Sequence, residues 1–292
     1  MIWHPKRCTE YVTLLLALWA GSLWADVPVH ATTAQERAVL RQIETQVRRY
    51  FLTTFGVEVT SRFALVGAGD AATLLAQVQA AQRAGGWRVR RRALDGGRIC
   101  PETRVGGAAN RTFIALCWPA PVAGEDASQV LRVSAGAVLA HEYVHQLQYD
   151  LARDRPARRL GDDWLMGPAW LVEGTAEVFE DHFRTGGVAV DGVALFNLQS
   201  SARRSRLTLD QMRATGALGD GQAYGVARFA AFLLAGRYGP QALLDYFAQL
   251  GETKDQDAAF LAAFGTTMVG FEAEFEAVRR DFGAAKAYVG VP

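Results

Sequence analysis

Excess charge is almost absent: 31 Lys and Arg stand against 30 Asp and Glu in 292 residues. Composition therefore gives no electrostatic ground for binding nucleic acid or acidic lipid. Cysteine is scarce, three in all, and neither Cys100 nor Cys117 has a histidine beside it in sequence, which argues against a thiol nucleophile. Internal repeats and low-complexity tracts are lacking, which excludes a repeat array. Long apolar runs are lacking too: the one from Tyr11 to Trp24 is about 14 residues, short of the roughly 20 that cross a bilayer core.

That short run has a reading of its own. Lys6 and Arg7 precede it and the small residue Ala25 ends it, the layout of a cleaved signal peptide over residues 1–25, although Leu23 is an imperfect residue three before the cut. The expectation is a secreted or periplasmic protein, with membrane attachment only if the segment is not cleaved. Removing it discards Cys8 and leaves Cys100 and Cys117 as an even pair in an oxidising compartment. The spacing leaves their pairing open; a bond would close a short loop and add roughly 3 kcal/mol.

Half of the residues are hydrophobic, enough for a sizeable core. Residues 32–55 carry Val39, Leu40, Ile43, Val47, Tyr50 and Phe51 at helical spacing. A strand is expected over 57–66, a helix over 70–84, a strand over 87–93, a loop over 95–107 and a strand over 112–118. From Gln129 onward the pattern is almost wholly helical. The fold class read from this is α+β, one unit over 26–292, with a mixed lobe over 26–150 and a mainly helical lobe over 151–292.

Chemistry concentrates between Ser134 and Asp150, where Val133, Ala137, Ala140, His141, Val144, Leu147, Gln148 and Leu151 form one helical stripe. Side chains four apart on a helix have Cβ atoms about 5–6 Å apart, so His141 and His145 can reach one cation. Glu142 lies beside that face, placed to take a proton from a metal-bound water without itself being a ligand. A catalytic zinc usually takes three protein donors, so a third should follow on a nearby helix. The segment Pro168 to Phe183 offers Glu173 and Glu177 on one face, after a proline suited to a helix start. Gly174 between them would cost up to about 1 kcal/mol in an exposed helix, and close approach of two helices would explain it.

With HEYVHQLQ at 141–148, WLVEGTAEVFE at 170–180, AYGVARFAAFLLAGRYG at 223–239 and AAFLAAFG at 258–265, the chain resembles the gluzincin metallopeptidases, especially the exported peptidase MA-like families. The likeness spans Ser134 to Phe282, about half of the chain. It implies a zincin-like fold, a small sheet lobe packed on the HExxH helix, and one zinc ion held by His141, His145 and Glu173. It implies further that Glu177 orients a histidine and that Tyr224 hydrogen-bonds the developing oxyanion. In such a site Glu142 is the general base and a peptide or protein is the substrate. In zincins an extended substrate lies against an edge strand, here 112–118. No motif for an N-terminal amine is present, which points to an endopeptidase.

Two readings compete. Gly67, Gly69 and Ala72 match GxGxxA between a strand and a helix, and Arg88, Arg90, Arg91 and Arg92 follow, as in a dinucleotide-binding oxidoreductase. No strand and helix alternation follows, however. The other is a zincin-like scaffold that binds a partner in the cell envelope without turnover, because fold does not fix function.

Overall fold

The computed structural model describes residues 26–89, 99–119, 127–152, 166–187, 191–214, 218 and 221–291. The segment read as an export signal lies outside them. The chain is α+β and about 67% helical, with a four-stranded mixed sheet and ten α-helices among the described residues. In order these are β1 (Val29–His30), α1 (Ala34–Phe55), β2 (Ala64–Ala68), α2 (Ala71–Ala84), β3 (Gly106–Asn110), β4 (Phe113–Cys117), α3 (Ala127–Leu151), α4 (Ala169–Thr185), α5 (Gly192–Ala202), α6 (Gly221–Tyr238), α7 (Gln241–Thr253), α8 (Gln256–Phe264), α9 (Met268–Arg280) and α10 (Phe282–Val289).

Helix α1 starts where it should, on a capping box: Glu36 N–H donates to Thr33 Oγ1 at 3.1 Å and Thr33 N–H donates to Glu36 Oε2 at 2.7 Å. Its periodic apolar face is buried and packs on α3. The strand expected over 57–66 is displaced to 64–68. At the centre of 57–63 side chains replace a ladder: Val59 N–H donates to Tyr143 Oη at 3.0 Å, and Thr60 and Ser61 N–H donate to Asp150 Oδ2 at 2.5 and 2.9 Å. Of the strand expected over 87–93, residues 87–89 have no regular structure, and 90–93 lie outside the described residues.

The sheet order is β1-β2-β4-β3, with β1, β2 and β4 parallel and β3 antiparallel to β4. The strand read at 112–118 is β4, and it is internal. The edge beside it is β3, which begins inside the stretch read as a loop. Glycine at 106 and 107 gives no strand signal, but a two-residue turn returns the chain to pair Asn110 with Phe113. Thr112 N–H donates to Asn110 Oδ1 at 2.8 Å within that turn.

Alternation along β4 puts Phe113, Ala115 and Cys117 against α2, and Ile114 and Leu116 into the core shared with α1 and α3. A Cys100–Cys117 disulfide pins the segment entering β3 to the end of β4. One hydrophobic cluster runs through both the sheet-bearing and the helical half. Within it α4 lies between α3 and α6. Gly174 is where α4 and α6 meet: a Cβ there would stand 2.2 Å from the Ala227 carbonyl oxygen. The close approach expected of Gly174 is therefore with α6, not with the helix bearing the histidines.

Candidate metal centre

Helices α3 and α4 bring three donors to one point. His141 and His145, one turn apart, have ring centroids 5.1 Å apart at 76°. Glu173 Oε2 is 3.6 Å from Nε2 of each. Two donors bound at about 2.0–2.1 Å to one tetrahedral cation stand about 3.4 Å apart, so the set fits a single ion. The group is largely buried, where three such side chains are costly unless paired or bound to a cation. Its atoms therefore form a group able to hold a metal ion.

The electrostatics agree with the geometry. Burial alone would lower both histidines, but Glu173 and Glu180 raise His141 well above its ordinary value, and Glu173 raises His145. Burial would raise Glu173, yet the facing imidazoles hold it far below the carboxylate range. Glu142 differs: burial pushes it up, only partly offset by the two histidines. One carboxylate is thus held as an anion among the nitrogens, while its neighbour more readily takes a proton.

Each histidine also has a polar side chain behind it, hydrogen-bonded in the case of His145. Gln148 Nε2 donates to the Val172 carbonyl at 2.9 Å, so its Oε1 is left to accept from His145 Nδ1, also at 2.9 Å. Behind His141 stands Glu180, with Oε2 3.3 Å from Nδ1. Glu177, expected in that role, is not the one at Nδ1. From Glu173 the helix turns about 400° to Glu177 but about 700°, nearly two full turns, to Glu180. Glu177 faces Arg228 instead, at 3.9 Å. His141, Glu177 and Glu180 also cluster tightly. That set would use Nδ1 as donor atom, and a neutral imidazole with Nε2 committed to a cation carries its proton on Nδ1. Glu180 is accordingly read as an acceptor.

Where Glu173 sits depends on the far end of the chain. Trp170 at the start of α4 is fully buried and its indole N–H donates to Glu272 Oε1 on α9 at 3.1 Å; Arg213 Nη2 binds Glu272 Oε2 at 2.5 Å.

A cleft of about 380 Å³ opens over the donors, lined by Val105 to Ala109, Val138, His141, Glu142, His145, Glu173, Glu180 and Tyr224. Tyr224, in the first turn of α6, is thus on the wall of the same cleft. Above Glu142 lies β3: a Cβ on Gly107 would stand 2.6 Å from Glu142 Oε1 and 2.7 Å from its Cγ. Tyr149, on α3, feels the charges of Glu173 and Glu142, though burial does more to raise it. A larger cavity of about 580 Å³, between Asp26, Glu44, Phe63, Trp87 and Tyr143, contains none of these donors. It is not the site of this chemistry.

The GxGxxA turn is occupied by the protein itself. A Cβ on Gly67 would stand 2.5 Å from the Trp118 ring and 2.9 Å from Leu40 Cδ1. Asp70 caps α2, accepting from Thr73 N–H at 2.8 Å, and sets a carboxylate where a pyrophosphate would lie. Gly67 serves packing, and of the arginines that followed it Arg90 to Arg92 lie outside the described residues. The Cys100–Cys117 pair, left open by spacing, is bonded.

Compared with protein-family models, curated proteins and solved structures, the chain matches none. Sequence reasoning missed Glu180, Gln148, Tyr149 and Gly107. Glu180 falls seven residues after Glu173 and Gln148 three after His145, so helical spacing could have found both. Nothing in the sequence marks Gly107, whose neighbour Glu142 is brought there by the fold.

Proposed function

We propose that this protein is an exported, zinc-dependent peptidase of gluzincin type. The observation that carries the reading is the convergence of His141, His145 and Glu173 beside a buried Glu142, under an edge strand. Two histidines and one carboxylate are the donor set of many catalytic zinc sites. A bound zinc ion supplies Lewis acidity, making water acidic near neutral pH and polarising a carbonyl.

The chain's own residues do the rest. Glu142 takes a proton from the attacking water and, its carboxyl raised by burial, returns it to the leaving amine. Tyr224, on the cleft wall, donates its hydroxyl to the oxygen on which charge develops. Glu180 and Gln148 keep the imidazoles aimed. The outer edge of β3 pairs with no other strand among the described residues, and its small side chains leave the backbone accessible to an extended peptide. The role expected of the strand at 112–118 passes to β3. The disulfide supports an oxidising compartment. No helix among the described residues is long and apolar enough to cross a membrane.

The test is cleavage of a peptide library by the purified mature chain. The parent should carry one zinc and cleave; Glu142→Gln should keep the zinc and lose cleavage by at least 10²-fold. A fully active Glu142→Gln would remove Glu142 from its role. A zinc-loaded parent that cleaves nothing would favour the binding scaffold.

A further inference from the structure

Two glutamines follow the second histidine of the motif, and both are buried, Gln146 fully and Gln148 at 1% exposure. Burying an amide is costly unless its groups are paired. Each donates its N–H groups to backbone outside its own helix, while Gln146 Oε1 is buried without a hydrogen-bond partner. Gln146 Nε2 donates to the Asn110 carbonyl at 2.5 Å and to the Phe113 carbonyl at 3.3 Å, the two ends of the β3–β4 turn. Gln148 holds His145 Nδ1 with its oxygen and the Val172 carbonyl with its nitrogen. Val172 precedes Glu173, so one side chain ties a histidine on α3 to the backbone that carries the carboxylate.

We infer that Gln146 and Gln148 are positioning residues with separate tasks: Gln148 fixes the geometry of the metal donors, and Gln146 fixes the edge strand that receives substrate. The division follows from direction. Two residues apart on a helix, side chains diverge by about 200°, so one reaches the hairpin and the other reaches α4. The amide suits Gln148 because it must accept on one side and donate on the other. A carboxylate would accept twice and set its charge against the Val172 carbonyl.

The inference rests on the metal-dependent peptidase reading, and its test separates the two. Zinc affinity and steady-state cleavage are measured on the parent, Gln148→Met and Gln146→Met, with apo-protein circular dichroism as the fold control. If the parent neither binds zinc nor cleaves, the underlying reading fails. With an active parent, Gln148→Met should raise the zinc Kd by 10- to 100-fold, and at saturating zinc leave KM within about threefold. Gln146→Met should leave the zinc Kd within about threefold and raise KM at least tenfold. Equal effects of both variants on both readouts, or parental zinc affinity in Gln148→Met, would overturn the inference while leaving the metal site standing. If Gln148→Met does not fold, Gln148→Glu takes its place: it keeps the acceptor for His145 but sets its charge against the Val172 carbonyl, so the zinc Kd should rise at least tenfold, and a Kd within about threefold of the parent overturns the inference.

Discussion

Replacing Gly107 with alanine adds one methyl group at the point where β3 crosses Glu142. The new Cβ would stand 2.6 Å from Glu142 Oε1, 2.7 Å from Glu142 Cγ and 2.8 Å from Val138 Cγ1. The closest approach is about 0.8 Å short of the 3.4 Å at which ordinary contact begins. Val138 closes one way out and the buried surroundings of Glu142 close others, so either the carboxylate or the strand must shift by nearly an ångström. Such a displacement of a reacting group costs on the order of 10²-fold in rate. The overpacking itself costs about 1–3 kcal/mol of stability. The three atoms nearest the methyl group belong to Glu142 and Val138, not to His141, His145 or Glu173. The expected outcome is full zinc content, a modest fall in the urea midpoint and kcat/KM down by about 10²-fold. Gly192→Ala, where a Cβ meets nothing within 4 Å, is the control and should cleave like the parent. A Gly107→Ala protein that cleaves within threefold of the parent would refute the placement of β3 over Glu142.

Two further outcomes follow from features away from the metal. Opening Cys100–Cys117, with its 17-residue separation, should cost roughly 3 kcal/mol and release the segment entering β3, so urea unfolding with and without reductant should differ; an unchanged midpoint would contradict a structural role. Burial holds His182 below its ordinary value of 6.5, and Tyr50 Oη is hydrogen-bonded to its Nδ1. The unfolded chain then binds the extra proton, so this contribution is complete above about pH 6.5 and is lost as pH falls toward the folded value. Between pH 7.5 and 5.5 the parent should lose more stability than His182→Asn, whose side chain keeps an acceptor for Tyr50; equal losses would dismiss the coupling.

Much of the scaffold was legible in the sequence where period and caps agreed. Helix α1 carries both a three-to-four apolar stripe and a Thr33–Glu36 box, and β4 is a short apolar run bounded by polar and proline residues. The group able to hold a metal ion was legible because helical spacing is a local property: His141 and His145 need only one turn, and Glu173 needs only a second helix on the same core. What escaped was set by contacts distant in sequence. Residues 57–63 look like strand, yet Tyr143 and Asp150, more than eighty residues on, take the N–H groups of Val59, Thr60 and Ser61. Gly106 and Gly107 look like loop because strand propensity reflects side-chain packing; a side chain at 107 would collide with Glu142, and one at 106 with the Ile99 carbonyl. Glu177 and Glu180 are both plausible on spacing, and Arg228, arriving from α6, divides them.

The bond from Trp170 to Glu272 bears on the order in which the molecule assembles. By the time α4 is complete at Thr185, all three residues able to hold a metal ion exist, and α3 and α4 can meet. The residue that fixes the start of α4 is synthesised about a hundred positions later, along with the aromatic cluster of Phe260 and Phe271 that packs on Trp170. Until that last third of the chain has folded back, Glu173 rides on a helix without its anchor. A chain cut before α9 would keep His141, Glu142, His145 and Glu173, yet lack the Trp170–Glu272 bond at the start of the helix that carries Glu173.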